Sequence, residues 1–263
     1  MGDGVKADLN ESLKWLLKAV KSDFPQALLA MADSYLTGQR YGEKNVPEAY
    51  ALFVKAADMG VLEAQRQLIY AYGSGDGLEK DPVKEAKYCK MAADQGFRPA
   101  QFQLGSMFYK GIGTEKDLVL AEKYFKLAAD QGDPNAQVDL GMMYHYGQGV
   151  ERDLPLAARY WRLAADQGHP QAQHNMAEVL SRGLGVPMDI DKALEYWHLA
   201  ADQGNRMALC ALGNAHETGL WVRKDLSLAV QYYERAAKNG SEEAKEKLKE
   251  LADSIEPSQR PLH

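Results

Sequence analysis

Histidine and cysteine give this chain most of its chemical scope, with six of the first and two of the second. His169 and His174 are five apart, and His145 lies one segment earlier, so His145 and His174 could approach one another between segments. With Asp139 or Glu178 they would offer a metal three donors; alone they would suit a small-molecule binder or a weak hydrolase. The spacing is unspecific, and His216-Glu217 lacks the second histidine of a zinc-protease helix. His198 follows Trp197 and reads as surface or packing. Cys89 and Cys210 are too few for a disulfide framework or a metal cluster. Cys89 reads as a small buried hydrophobe, and Cys210 as an outward-facing thiol that could react, though nothing basic is adjacent in the motif to lower its pKa. Gly-x-Gly turns such as Gly147-Gln148-Gly149 resemble phosphate loops, but no Gly-Lys-Ser/Thr follows them. No Gly-x-Ser-x-Gly elbow or triad spacing occurs. The expectation is a protein that is not an enzyme, with no catalytic residues, no metal and no cofactor.

A repeat must position these residues. The string Ala-Ala-Asp-Gln-Gly ends at Gly96, Gly132, Gly168 and Gly204, a spacing of 36 each time, with degenerate copies ending at Gly60 and Gly240. Ala64, Ala100, Ala136, Ala172, Ala208 and Ala244 keep the same period. So do Gly75, Gly111, Gly147, Gly183 and Gly219. Each unit predicts two short helices. In the first, Ala100, Leu104, Phe108 and Gly111 share one face. In the second, Ala121, Tyr124, Phe125 and Ala128-Ala129 form a packing stripe. Asp81, Asp117, Asp153, Asp189 and Asp225 are placed to cap the second helices, and Pro134 and Pro170 to open first helices.

The fold class is therefore all-α, with fourteen helices in one α-solenoid over residues 8–253. A capping helix covers 8–20, repeats cover 25–60, 61–96, 97–132, 133–168, 169–204 and 205–240, and a polar capping helix covers 241–253. The tail over 254–263, with Pro257 and Pro261, is expected to be flexible. Lys and Arg total 31 against 37 Asp and Glu, a formal charge of −6, which offers nucleic acid no default basic surface. No apolar run approaches the ~18–20 residues of a membrane span, so no membrane insertion is expected. Residues Met1 to Lys6 lack the apolar core of a secretory signal. A trimmed signal would leave cytoplasmic, periplasmic and secreted locations all open.

Within 136–168, Ala136, Gln137, Leu140, Gly141, Tyr144, Gly147, Gly149, Val150, Asp153, Ala157, Tyr160, Trp161, Ala164, Ala165 and Gly168 form one full motif. It resembles the Sel-one-like repeat (SLR), a relative of the tetratricopeptide repeat with a slightly longer period. Departures are local: an extra residue near Tyr41-Gly42, Glu85 for a small residue, and Trp221 for the second loop glycine. The resemblance implies a right-handed superhelix of about six 36-residue helix–turn–helix repeats that binds a protein or peptide along a concave groove. Relatives serve as quality-control adaptors, envelope assembly factors, host-interaction factors and toxin-immunity proteins.

By analogy with tetratricopeptide stacking, the side of each first helix away from its packing stripe lines that groove. It presents Arg66 and Tyr70 in the second repeat, Phe102, Tyr109 and Lys110 in the third, and Val138, Asp139, Met142, His145 and Tyr146 in the fourth. The fifth presents His174, Glu178 and Arg182. All of these except Val138 are the candidate partner-binding residues. Aromatic and Met side chains on such a face either anchor a partner or pack between repeats, and the angles alone leave both readings open. A base-per-repeat RNA code needs paired polar side chains in a basic groove, which Arg66/Tyr70, Phe102/Ser106, Val138/Met142 and His174/Glu178 do not supply. Two capping helices favour a monomer in the absence of partner.

Overall fold

Aspartate and proline set where the helices begin. In the computed structural model, which describes residues 9–39 and 43–254, Asp81, Asp117, Asp153, Asp189 and Asp225 each accept backbone N–H bonds of 2.9–3.0 Å from the helix they precede. A carboxylate there satisfies otherwise orphaned donors and meets the positive end of the helix dipole. The first helices close into a left-handed glycine, as at Gly111 with φ 71°.

Fourteen α-helices result among the described residues: α1 (Leu9–Lys21), α2 (Pro25–Thr37), α3 (Val46–Asp58), α4 (Leu62–Ser74), α5 (Pro82–Asp94), α6 (Arg98–Lys110), α7 (Leu118–Asp130), α8 (Pro134–Tyr146), α9 (Leu154–Asp166), α10 (Pro170–Arg182), α11 (Ile190–Asp202), α12 (Arg206–Thr218), α13 (Leu226–Lys238) and α14 (Glu242–Ser254). No strand occurs among those residues. The inserted residue near Tyr41-Gly42 and residues 255–263 of the expected tail lie outside them, while Ser254, the first residue of that tail, ends the last helix. The helices form two compact units, one ending at Gln131 and the other beginning at Gly132. In each unit, every helix packs on the helices before and after it in sequence, most closely the two helices of one repeat on each other.

Small residues on the first helix make room for large ones on the second. An added Cβ on Gly105 would come within 2.7 Å of the Phe125 ring, and one on Gly213 within 2.7 Å of Tyr233. Gly141 faces the Trp161 indole in the same way, and that indole N–H donates to the Val138 carbonyl at 3.2 Å. Cys89, at the aromatic position of its repeat, is buried as expected, and Ile69 fills the space that Gly105 leaves open one period later. Burial pushes the Cys89 thiol up to about 12, so it is an inert core residue.

A polar clamp joins successive repeats. Gln101 is buried, its amide donating to the Ala93 carbonyl at 3.2 Å, and its own oxygen accepts from Gln131 Nε2 at 2.6 Å. The same glutamine pair recurs as Gln65–Gln95, Gln137–Gln167 and Gln173–Gln203, each at 2.9 Å. The Gln of each Asp-Gln-Gly string thereby satisfies a buried acceptor that would otherwise stand alone.

Candidate partner-binding surfaces

Each unit carries its own cavity on the first-helix side. In the first unit, α4 and α6 enclose about 590 Å³, lined by Arg66, Tyr70, Gly73, Phe97 and Gln103, with Glu85 of α5 reaching in from behind. Tyr70 stands 60% exposed. The Arg66 guanidinium lies over the Phe97 ring at 5.3 Å from its centroid and pairs with Glu63 at 2.6 Å. Phe102 and Tyr109 are half-buried and both rest on Phe125, with ring centroids 5.7 and 6.4 Å away. Lys110 is exposed.

In the second unit, α10, α12 and α14 enclose about 530 Å³ lined by His174, Glu178, Arg182, Trp197, Trp221 and Glu243 among others. Arg182 and Glu178 pair at 2.9 Å. Burial, followed by the charge of Arg182, lowers His174 to about 4, so it is neutral at pH 7. Tyr146 stands 61% exposed, its ring edge-on to His145 at 4.7 Å, and His145 in turn lies 5.2 Å from Trp161. Burial and then Arg152 hold His145 below its ordinary value. Asp139 and Met142 are half-buried. Nδ1 of both His145 and His174 is buried with no hydrogen-bond partner. Among the described residues no group of three His, Cys, Asp or Glu side chains is placed to hold a metal.

Two outward assignments are corrected. Val138 is 7% exposed and belongs to the core around Trp161. Cys210 is also 7% exposed, its Sγ 3.3 Å from the Ser241 hydroxyl, and burial raises the thiol pKa. Ser241, from the repeat that follows, covers Cys210, and the core around Trp161 takes in Val138; a single helical wheel includes neither neighbour. Three contributors went unassigned in the sequence, namely Glu85, Gly73 and Trp221. Their signal was departure from the repeat. Trp221 takes a left-handed φ of 68° at a loop glycine position and stacks on Trp197 at 5.4 Å. Such a backbone costs a non-glycine residue roughly 1–2 kcal/mol. One period after Gly141 stands Ala177, and there the Trp197 indole N–H has no partner, unlike that of Trp161.

Glycine-capped helix pairs at a period of 36, clamped by glutamines, define an α-solenoid repeat protein. Seven stretches, residues 1–24, 25–61, 62–97, 98–133, 134–169, 170–205 and 206–241, match the Sel1 repeat, and the chain belongs to the Sel1 repeat family. This is one more than the six full repeats read above, the additional match containing the first capping helix. Proteins of this family generally mediate protein–protein interactions and are typically non-enzymatic scaffolds. No curated protein matches the chain. Among solved structures, it is similar to c5321, a protective antigen present in uropathogenic Escherichia coli strains, with 29% identity and a TM-score of 0.75. That match covers 96% of this chain but 54% of the antigen, so the chain spans about half its length. It is similar also to a Sel1 repeat protein from Oxalobacter formigenes, with 29% identity and a TM-score of 0.71, covering 88% of this chain and 94% of that one. No helix among the described residues is long and apolar enough to cross a membrane.

Proposed function

We propose that this chain is a non-enzymatic adaptor that binds a partner protein or peptide on the first-helix surfaces of its repeats. In the first unit the contacts are Arg66, Tyr70, Phe102, Tyr109 and Lys110. In the second they are Asp139, Met142, His145, Tyr146, His174, Glu178 and Arg182. The observation that carries this reading is Tyr146, a large ring exposed over more than half its surface yet held edge-on by His145, which Trp161 backs. A rigid, amphipathic aromatic side chain of this kind loses little entropy on binding, which is why tyrosines anchor interfaces. Tyr70 is a second exposed ring, on the first unit. Phe102 and Tyr109 support the surface from a half-buried position, so both binding and packing fall to them. The likeness to an antigen of uropathogenic Escherichia coli is compatible with this scaffold, while envelope, host-interaction and toxin-immunity settings stay equally open to it.

The test is affinity capture from the source lysate with wild type and with the Tyr70→Ala/Tyr146→Ala variant. A stoichiometric protein held by wild type should be lost from the variant, with affinity reduced by at least ~2 kcal/mol if the rings are hot spots, while the thermal melt stays unchanged. Equal capture by both proteins would remove these surfaces from the interface.

A further inference from the structure

Two departures from the repeat meet in the first unit. The positions equivalent to Glu85 in later repeats are Ala121, Ala157, Ala193 and Ala229, each fully buried. A glutamate cannot occupy an alanine's space. Residue 73, one period before Tyr109, is glycine, and an added Cβ there would lie 2.7 Å from Glu85 Oε1. The glycine therefore clears the room into which the carboxylate turns.

That carboxylate is half-buried in the 590 Å³ cavity, and its hydrogen bond is to a neutral group, Gln103 Nε2 on Oε1 at 2.5 Å. Oε2 accepts no hydrogen bond from the described residues. The cation in the same cavity, Arg66, is already paired with Glu63. The charges of Glu63 and Arg66 cancel, which leaves the negative charge of Glu85 uncompensated within the lining. Burial raises its pKa, as expected of an anion that has lost water without gaining a counter-charge. Beside it the Tyr70 ring is open to solvent, a surface on which a cation can stack.

We infer that this cavity seats an arginine side chain supplied by the partner protein, its guanidinium pairing with Glu85 and stacking on Tyr70. A planar fork can make both contacts at once, whereas a lysine ammonium acts as a point charge. The inference rests on the adaptor reading and names what the partner brings to it.

The experiment is an NMR titration of the full chain with the blocked peptide Ac-Ala-Arg-Ala-NH2. Its citrulline counterpart serves as a neutral isostere, and methylguanidinium chloride as a free cation. The arginine peptide should shift the amides of Tyr70, Gly73, Phe97 and Gln103, and bind at least tenfold more tightly than the citrulline peptide. Glu85→Gln, which keeps the size of the side chain, should abolish that preference, as should Glu85→Ala, which restores the alanine of the other repeats. Equal binding of the two peptides, an unchanged preference in Glu85→Gln, or no shifts with the arginine peptide would each overturn the inference. Binding of methylguanidinium as tight as that of the peptide would overturn the assignment to a protein side chain. The two readings fail separately. Partner capture that depends on Tyr70 and Tyr146 with no arginine preference at Glu85 removes this inference alone. An arginine preference with capture indifferent to those rings removes the adaptor surface instead.

Discussion

His174 has a proton equilibrium that folding displaces, because its ring is largely enclosed and Nδ1 meets no partner. The groups around it are Arg182 and Glu178 on its own helix, and Cys210 and Glu243 across the cavity. Its value falls from 6.5 in the unfolded chain to about 4 in the fold. Between those limits the unfolded chain binds a proton that the folded one does not. Stability from this residue is therefore complete above pH 6.5 and declines as pH drops toward 4, by at most about 1.4 kcal/mol per pH unit. Urea unfolding of wild type and His174→Gln should show the wild type losing more stability between pH 7 and pH 5. Parallel losses would mean that the folded ring takes up its proton freely. The sequence marked His174 as noteworthy but could not report this, because burial of a first-helix side chain depends on the repeat that follows. Cys89 was legible for the opposite reason. It replaces an aromatic residue on the inner stripe, where a single period already defines the environment.

Helix pairs are where the sequence spoke most clearly, since capping aspartates, terminal glycines and the alanine stripe act within one unit. The side-chain contacts that close one end of a repeat on the other were harder to read. The glutamines of Ala-Gln and Asp-Gln-Gly are thirty residues apart, at the start of the first helix and just past the second, and only the folded helix pair shows that they meet. Their exceptions follow the same rule: where Leu28 and Leu209 replace the buried glutamine, Met59 and Asn239 replace its partner. Gln131→Ala should cost about 1–3 kcal/mol, because it strands the buried oxygen of Gln101. Adding Gln101→Leu removes that stranded acceptor. A double-mutant cycle by urea unfolding should then give a total smaller than the sum of the two single changes. Additive costs would show that the pair contributes no coupling and that water replaces the lost partner.

Across the whole chain, a repeat architecture limits how far a local change is felt. Each helix of a unit packs principally on its neighbours in sequence, so stability is a sum of repeat and nearest-interface contributions. Phe53 is fully buried in the core of the first unit, among Leu28, Leu68 and the α2–α4 helices, while Tyr233 holds the equivalent place between α12 and α13. Phe53→Ala should cost about 3–5 kcal/mol locally through the cavity it leaves. Native-state hydrogen exchange read by mass spectrometry should then show faster exchange through α2, α3 and α4, with α12 and α13 keeping wild-type protection. Tyr233→Ala should give the mirror pattern. A uniform loss of protection over all helices in either variant would show one global cooperative transition. In that case substitutions at Tyr70 or Glu85 could not be interpreted from their own unit alone. The expected locality is what allows one repeat to depart from the pattern, as at Glu85 and Gly73, while its neighbours keep theirs.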